Sequence, residues 1–340
     1  MAMTVQKPVT SADVARLAGV SQPTVSRALR GEPGVAAATI EKVRRAADAL
    51  GYVLNETGRS LSTRRTNLVG IVVPELTNPF YPELIEPLRR ELDGAGYRSV
   101  LIADPGESGF NVVRDLLNGS LAGVLLTTSP MGSNLPQVLK DRRIPYVLVN
   151  RVLDLVEADM CSTDNAAGAR LAASLIVEIG HRRIAAVLGP GDASNARDRE
   201  RGFREELAEH GIALPASRAL HGPFSYESGH ERAVQLLSST RRPTSVFCAN
   251  DVLAIGAYNA ARSLGLRVPE DLTIVGFDDI AMASWDVFQL TTVRYELPTM
   301  AAESVRMLLA RIEDPKRSHE SLMIPTTLVK RATHGPPSTG

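Results

Sequence analysis

Gln22, Pro23, Ser26 and Arg27 stand three and four residues apart in the stretch SQPTVSRAL, so on a helix they share one face. Their types suit contact with nucleic-acid bases: an amide that both donates and accepts, a hydroxyl, a guanidinium fork and one apolar surface. A second set of polar and aromatic residues is scattered along the chain at the ends of apolar runs. Phe80 and Tyr81 follow LVGIVV, and aromatic faces of this kind suit a sugar ring or a planar base. Asn150 and Arg151 close PYVLVN-R, Thr127 closes GVLLTT, and Arg197 follows the Gly/Pro/Ser-rich GPGDASNA. The pairs Asn250–Asp251 and Asp278–Asp279 follow two more runs, and helix capping alone accounts for one residue of each pair.

The first set needs a short helix presented by another. Thr10, with Asp13 three residues on, forms a capping-box start, after which Val14, Leu17 and Ala18 make an apolar stripe that ends at Gly19. Ser21 is a good N-cap for a second helix whose first turn tolerates Pro23 and whose inward residues are Val25, Ala28 and Leu29. Past the loop RGEPGVAA, the residues Ile40, Val43, Ala47 and Leu50 mark a third helix, stopped by Gly51. Residues 1–65 hold ten Lys/Arg against five Asp/Glu, a net charge of +5, which leaves −5 for the rest of a chain that is neutral overall. A small basic head on an acidic body suits phosphate-backbone binding by the head.

The second set needs strands. Apolar runs at 68–73, 98–103, 123–128, 145–150, 183–189, 244–249 and 272–277 alternate with helical patterns near 81–95, 110–118, 165–179, 197–210, 226–238, 251–264 and 298–311. Continuous apolar strands between helices predict parallel sheets covered on both faces. Ligands of such sheets gather at the carboxyl ends of the strands, where the polar residues lie. One Rossmann-type enzyme and two subdomains around a cleft both fit this alternation.

The segment DVARLAGVSxxTVSRAL, residues 13–29, closely resembles the opening of the LacI/GalR (lac repressor-like) family of bacterial transcription regulators, and the resemblance runs to about Ala332. It implies an α/β chain: a three-helix helix-turn-helix head (1–52), a hinge (53–66), and a periplasmic-binding-protein-like core (67–333) of two doubly wound parallel-sheet subdomains. The expected subdomains are about 67–162 with 291–320, and 163–290 with 321–333. In the head, Gln22, Pro23, Ser26 and Arg27 would contact base edges, while Thr10, Ser21 and Thr24 would contact phosphates. Arg59 and Leu61 lie in the hinge segment, where the family's leucine wedges into the minor groove. Leu54 and Gly58 depart from the family's usual proline and alanine there, which predicts a hinge helix less stable off DNA. Pro23 is another departure, since many relatives carry a polar base reader at that position. Family positions assign effector contact to Phe80, Tyr81, Arg197, Phe224, Asn250 and Asp278 and a structural part to Asp251 and Asp279, and their place past strand ends adds Asn78, Thr127, Asn150 and Arg151 to the expected effector contacts. The segment 104–112 is a few residues shorter than in many relatives. The implied partners are near-palindromic operator DNA, a second copy of the chain, and a small effector, commonly a sugar or sugar derivative and sometimes a nucleobase. Inducer and corepressor action both stay open.

Other classes lack support in the residues. GPGDASN has no GK[ST], no GxGxxG follows the first strand, and neither GxSxG nor HExxH occurs, so no enzyme, cofactor or metal is expected. His181, in GHRRIA just before a strand, reads as structural. A solute-binding module without DNA function would not need the basic head. No run of eighteen apolar residues occurs and MAMTVQKPVT carries no apolar signal, which favours the cytoplasm without a membrane span. Cys161 and Cys248, far apart and without metal-ligand spacing, are expected to be buried free thiols. HGPPSTG, at 334–340, is polar and Gly/Pro-rich and is expected to be disordered.

Overall fold

The computed structural model describes residues 9–29, 31, 33–52, 66–74, 76–103, 121–153, 157–338. The expected hinge with Leu54, Gly58, Arg59 and Leu61, the helix near 110–118 and the short segment 104–112 lie outside these residues. The chain divides into two compact units, Met1–Thr66 and Asn67–Gly340.

In the first unit, α1 (Ser11–Ala18) starts where the Thr10 amide and hydroxyl both donate to the Asp13 carboxylate, at 3.0 and 2.6 Å. Gly19, at φ 60°, ends it and lets the Val20 amide reach back to the Ala15 carbonyl at 3.1 Å. Ser21 then caps α2 (Gln22–Leu29) by accepting from the Thr24 amide at 3.3 Å. With α3 (Ala37–Leu50), these helices bury a core of Val14, Ala15, Ala18, Val25, Ala28, Val43, Ala46 and Ala47. Leu17 departs from its expected place in the stripe: it is 55% exposed, and Ala15 takes the inward position. On an eight-residue helix the buried arc is narrow, and only small side chains fit between α1 and its neighbours.

The second unit holds two six-stranded sheets. The first is formed by β1 (Leu68–Val73), β2 (Arg98–Ala103), β3 (Gly123–Leu126), β4 (Tyr146–Val149), β5 (Asp159–Thr163) and, much later in the chain, β11 (Ser321–Ile324). The order is β11-β5-β4-β3-β1-β2, all parallel, with α4 (Phe80–Gly94), α5 (Leu135–Asp141) and α10 (Leu297–Glu313) completing this subdomain. The second sheet has the order β12-β10-β9-β8-β6-β7 and is parallel except for β12. Its strands are β6 (Ile184–Leu188), β7 (Ala219–His221), β8 (Ser245–Cys248), β9 (Thr273–Phe277), β10 (Thr291–Arg294) and β12 (Thr327–Val329). Its helices are α6 (Asn165–Glu178), α7 (Ser194–Glu209), α8 (Tyr226–Leu237) and α9 (Asp251–Ser263). Every residue of β3, β6, β8 and β9 is buried, as strands covered on both faces must be.

The partition of strands corrects the expected boundaries. Thr291–Arg294 pairs with β9 in the second sheet, and Ser321–Ile324 pairs with β5 in the first, the reverse of the expected assignment. The chain therefore crosses between sheets after β5, after β10 and after β11. The tail is a second correction. The Gly335 amide donates to Thr273 Oγ1 at 3.0 Å, and its carbonyl accepts from that hydroxyl at 2.9 Å and lies 2.9 Å from His181 Nε2. His334 and Gly335 thus hydrogen-bond to the core instead of trailing from it, because Thr291, His181 and Thr273 offer polar groups that they satisfy. Cys161 and Cys248 are buried and free, as expected.

Candidate functional site

The head presents the side chains singled out in its sequence on one surface. Gln22, Pro23 and Arg27 are exposed and Ser26 is half-buried, while Val25 and Ala28 point inward. Thr10 and Ser21 are exposed beside them and Thr24 is half-buried, with the Ser21 and Thr24 hydroxyls 2.7 Å apart. The Gln22 amide nitrogen donates to Ser11 Oγ at 2.7 Å, a tie between α1 and α2 on the exposed side. Exposed polar side chains at the start of α2 suit docking against a charged polymer.

The core holds a cavity of about 240 Å³ between its two subdomains. From the first sheet's side it is lined by Asn78, Tyr81, Thr128, Ser129 and Arg151, and from the second by Asp192, Phe224 and Ser225, among others. Hydrogen bonds cross between the subdomains around it. Asn78 Nδ2 donates to the Phe224 carbonyl at 3.4 Å, the Met131 amide to the Asp192 carbonyl at 2.9 Å, and the Val152 amide to Ser194 Oγ at 3.0 Å. Glu83 on α4 accepts from the Ala281 amide at 2.9 Å. Burial and the nearby Asp278 and Asp279 carboxylates raise the Glu83 carboxyl above its ordinary range, and the amide bond opposes that.

Several residues named from the sequence line this cavity, and others have different work. Asn78, Tyr81, Arg151 and Phe224 line it, and Arg151 Nη2 donates to Tyr81 Oη at 3.3 Å. Ser129 Oγ, Asn150 Oδ1 and Arg151 Nη1 are buried without a hydrogen-bond partner among the described residues. Phe80 packs into the core, edge-on to Tyr81 at 5.4 Å. The Thr127 hydroxyl donates to the Val72 carbonyl at 2.8 Å inside the sheet, and its neighbours Thr128 and Ser129 face the cavity instead. Asn250 caps α9, its Oδ1 accepting from the Leu253 amide at 2.9 Å. Arg197 lies outside the cavity lining, with Nε on Asp198 at 3.2 Å and Nη1 3.5 Å from Met131 Sδ.

Asp278 is held by an arginine that the sequence reading passed over. Arg199, 1% exposed, pairs with Asp278 at 2.8 Å, donates to Asn165 and to the Ala249 carbonyl at 2.8 and 2.7 Å, and lies 3.7 Å over the Phe277 ring. Tyr295 adds a hydroxyl donor to Asp278 at 3.0 Å. Burial pushes the Asp278 carboxyl up, and the guanidinium of Arg199 opposes it. Gly202 makes this possible: a Cβ there would lie 2.2 Å from the Ala166 carbonyl oxygen, so only glycine lets α7 approach α6 closely enough. Asp251 accepts from the Ile280 amide at 2.9 Å and from the Thr292 hydroxyl at 2.5 Å, and Asp279 pairs with Arg294 and Arg331. Among the described residues, no group of three His, Cys, Asp or Glu side chains could hold a metal.

A basic two-helix reader in one unit and a strand-end cleft in the other are the two parts of a ligand-responsive DNA-binding protein. Residues 10–55 match the family model for bacterial regulatory proteins of the lacI family, and residues 173–334 match that for the periplasmic binding protein-like domain. The HTH-type transcriptional regulator CelR of Thermobifida fusca is 36% identical over 330 residues, covering 94% of this chain and 96% of that protein. The chain belongs to the LacI family of transcriptional regulators. The ribose operon repressor of Escherichia coli K12 is 31% identical over 95% of this LacI-family chain and 99% of its own. Among solved structures, a CelR–cellobiose complex superposes with a TM-score of 0.75 at 33% identity, covering 96% and 99% of the two chains. The lac repressor dimer bound to operator and the anti-inducer ONPF superposes with a TM-score of 0.84 at 29% identity, also covering 96% and 99%. Among the described residues, no helix is long and apolar enough to cross a membrane.

Proposed function

We propose that this LacI-family regulator acts in the cytoplasm as a homodimeric repressor whose operator affinity is set by a neutral sugar-like effector in the cleft, with no turnover of that effector. The observation that carries the reading is the pair of cavity-lining residues whose buried polar atoms have no described partner, Ser129 Oγ and Arg151 Nη1, at the carboxyl ends of two adjacent strands. A hydroxyl and a guanidinium, with the Asp192 carboxylate also in the lining, match hydroxyl groups, which give and take hydrogen bonds at once; an anionic ligand would meet the like charge of Asp192. Tyr81 and Phe224 supply the flat surfaces that pack on a ring. The volume of about 240 Å³ lies just below the ~300–1,000 Å³ of typical small-molecule sites, which suits a ligand of about one ring. Relatives that carry cellobiose or control a ribose operon give the first compounds to try.

Effector bound between the subdomains favours one angle between them over another and so changes the affinity for DNA. In the head, Gln22, Pro23, Ser26 and Arg27 read bases of each half-site, and Thr10, Ser21 and Thr24 hold the backbone. Calorimetric titration with neutral and phosphorylated mono- and disaccharides tests the effector reading. A neutral sugar is expected to bind, and Arg151→Ala to weaken it about tenfold or more, the loss typical of a charge-assisted hydrogen bond. Binding restricted to phosphorylated compounds would overturn it. Repeating operator binding with and without the sugar gives the sign of the response.

A further inference from the structure

We propose that Ser11 is a positioning residue for base recognition, fixing the Gln22 side-chain amide so that it reads adenine. The proposal rests on the DNA-reading role of the head. Ser11 opens α1 and Gln22 opens α2, and Gln22 Nε2 donates to Ser11 Oγ at 2.7 Å. Val14, Ala18, Val25 and Ala28 are buried in a core that the two helices share, which holds them together. A free glutamine amide on an exposed helix start turns about its last torsion and offers either edge to a base. Here one of its two N–H groups is given to Ser11; with the N–H anti to the carbonyl so engaged, the second N–H and the carbonyl oxygen stand side by side in the amide plane. One donor beside one acceptor complements adenine, whose major-groove edge carries the N7 acceptor next to the N6 donor; guanine presents two acceptors there. Ser11 reaches no base in this scheme and acts only through Gln22.

The test is selection of binding sites by the full-length protein from a randomised duplex library, with Gln22→Ala locating the base pair that Gln22 reads. Wild type is expected to enrich adenine at that pair in both half-sites. Ser11→Ala should lower the adenine preference there by about tenfold, leaving the rest of the motif and the affinity for random DNA unchanged. Ser11→Thr, which keeps the hydroxyl, should restore it. Retention of full adenine preference by Ser11→Ala, or guanine at that pair in wild type, would overturn the proposal. So would an even loss across the whole motif accompanied by a lower melting temperature, which would mark Ser11 as a helix-stabilising residue only. Failure of wild type to enrich any site would instead remove the DNA-reading role, and this assignment with it.

Discussion

Arg199 and Asp278 form an ion pair from which water is almost excluded, at 1% and 6% exposure, with Asn165 and the Ala249 carbonyl as further partners of the arginine and Tyr295 as a further partner of the aspartate. Removing one member of such a pair leaves the other buried and unpaired. Arg199→Ala is therefore expected to cost about 3–5 kcal/mol of stability, read from urea unfolding of the full chain. The exposed pairs on α4, such as Arg90 with Glu86, are screened by solvent and should cost far less when broken. Pro23 makes a different prediction at the same scale. It offers a base only apolar contact, such as a thymine methyl, so Pro23→Gln should shift the base preferred at one symmetric operator position in a binding-site selection. An unchanged consensus would remove Pro23 from the reading surface.

At the scale of elements, the last residues of the chain close the second sheet. Thr333 donates to the Ile274 carbonyl at 2.7 Å, and His181, buried between Thr244, Thr273 and Gly335, is satisfied on both ring nitrogens. Burial lowers the His181 pKa, and that of His334 as well. As pH falls below about 6.5, the unfolded chain takes up protons that the folded rings resist. The contribution of these two rings to stability should thus be constant above that pH and decline below it, while the raised carboxyls of Glu83 and Asp278 act in the opposite sense. A melting temperature that falls between pH 7 and 5.5 in wild type, and falls less in His181→Gln, would bear this out. Helix α7 shows how an element places a side chain: Ala196, Arg199, Phe203 and Leu207 are its buried stripe, and the arginine occupies one core position of it.

At the scale of the whole molecule, the charge asymmetry and the cleft govern the response to solution conditions. A head carrying +5 on a neutral chain should bind DNA with a steep salt dependence, losing on the order of a thousandfold in affinity between 50 and 200 mM salt, measured by fluorescence anisotropy. The Glu83–Ala281 bond joins the two subdomains outside the cavity lining. Its loss in Glu83→Ala is expected to change effector affinity by about fivefold, the equivalent of one ordinary hydrogen bond, with little change in the unfolding midpoint.

The two helices of the reader, the alternation of strands and helices, and the cleft at the strand ends were legible in the residues, because capping signals and hydrophobic periodicity act locally. Of the residues that line the cavity, Asn78 and Arg151 could be named because they follow apolar strands of a parallel sheet, where the polar groups collect, whereas Tyr81 and Phe224 were named from their match to family positions. Strands β5, β7, β10, β11 and β12 escaped, being three to five residues long and without a continuous apolar run. Arg199 had a signal, its phase on α7 with Ala196 and Phe203, but neighbouring charges at 198, 200 and 201 hid it. Which sheet receives β10 and which receives β11 was decided only in three dimensions, because pairing depends on the open edge that each strand meets after a crossover. The same holds for the tail, whose composition predicts disorder and whose backbone instead satisfies buried polar groups on His181 and Thr273. Periodicity sets which way a side chain faces; which distant group it meets is set by the tertiary fold.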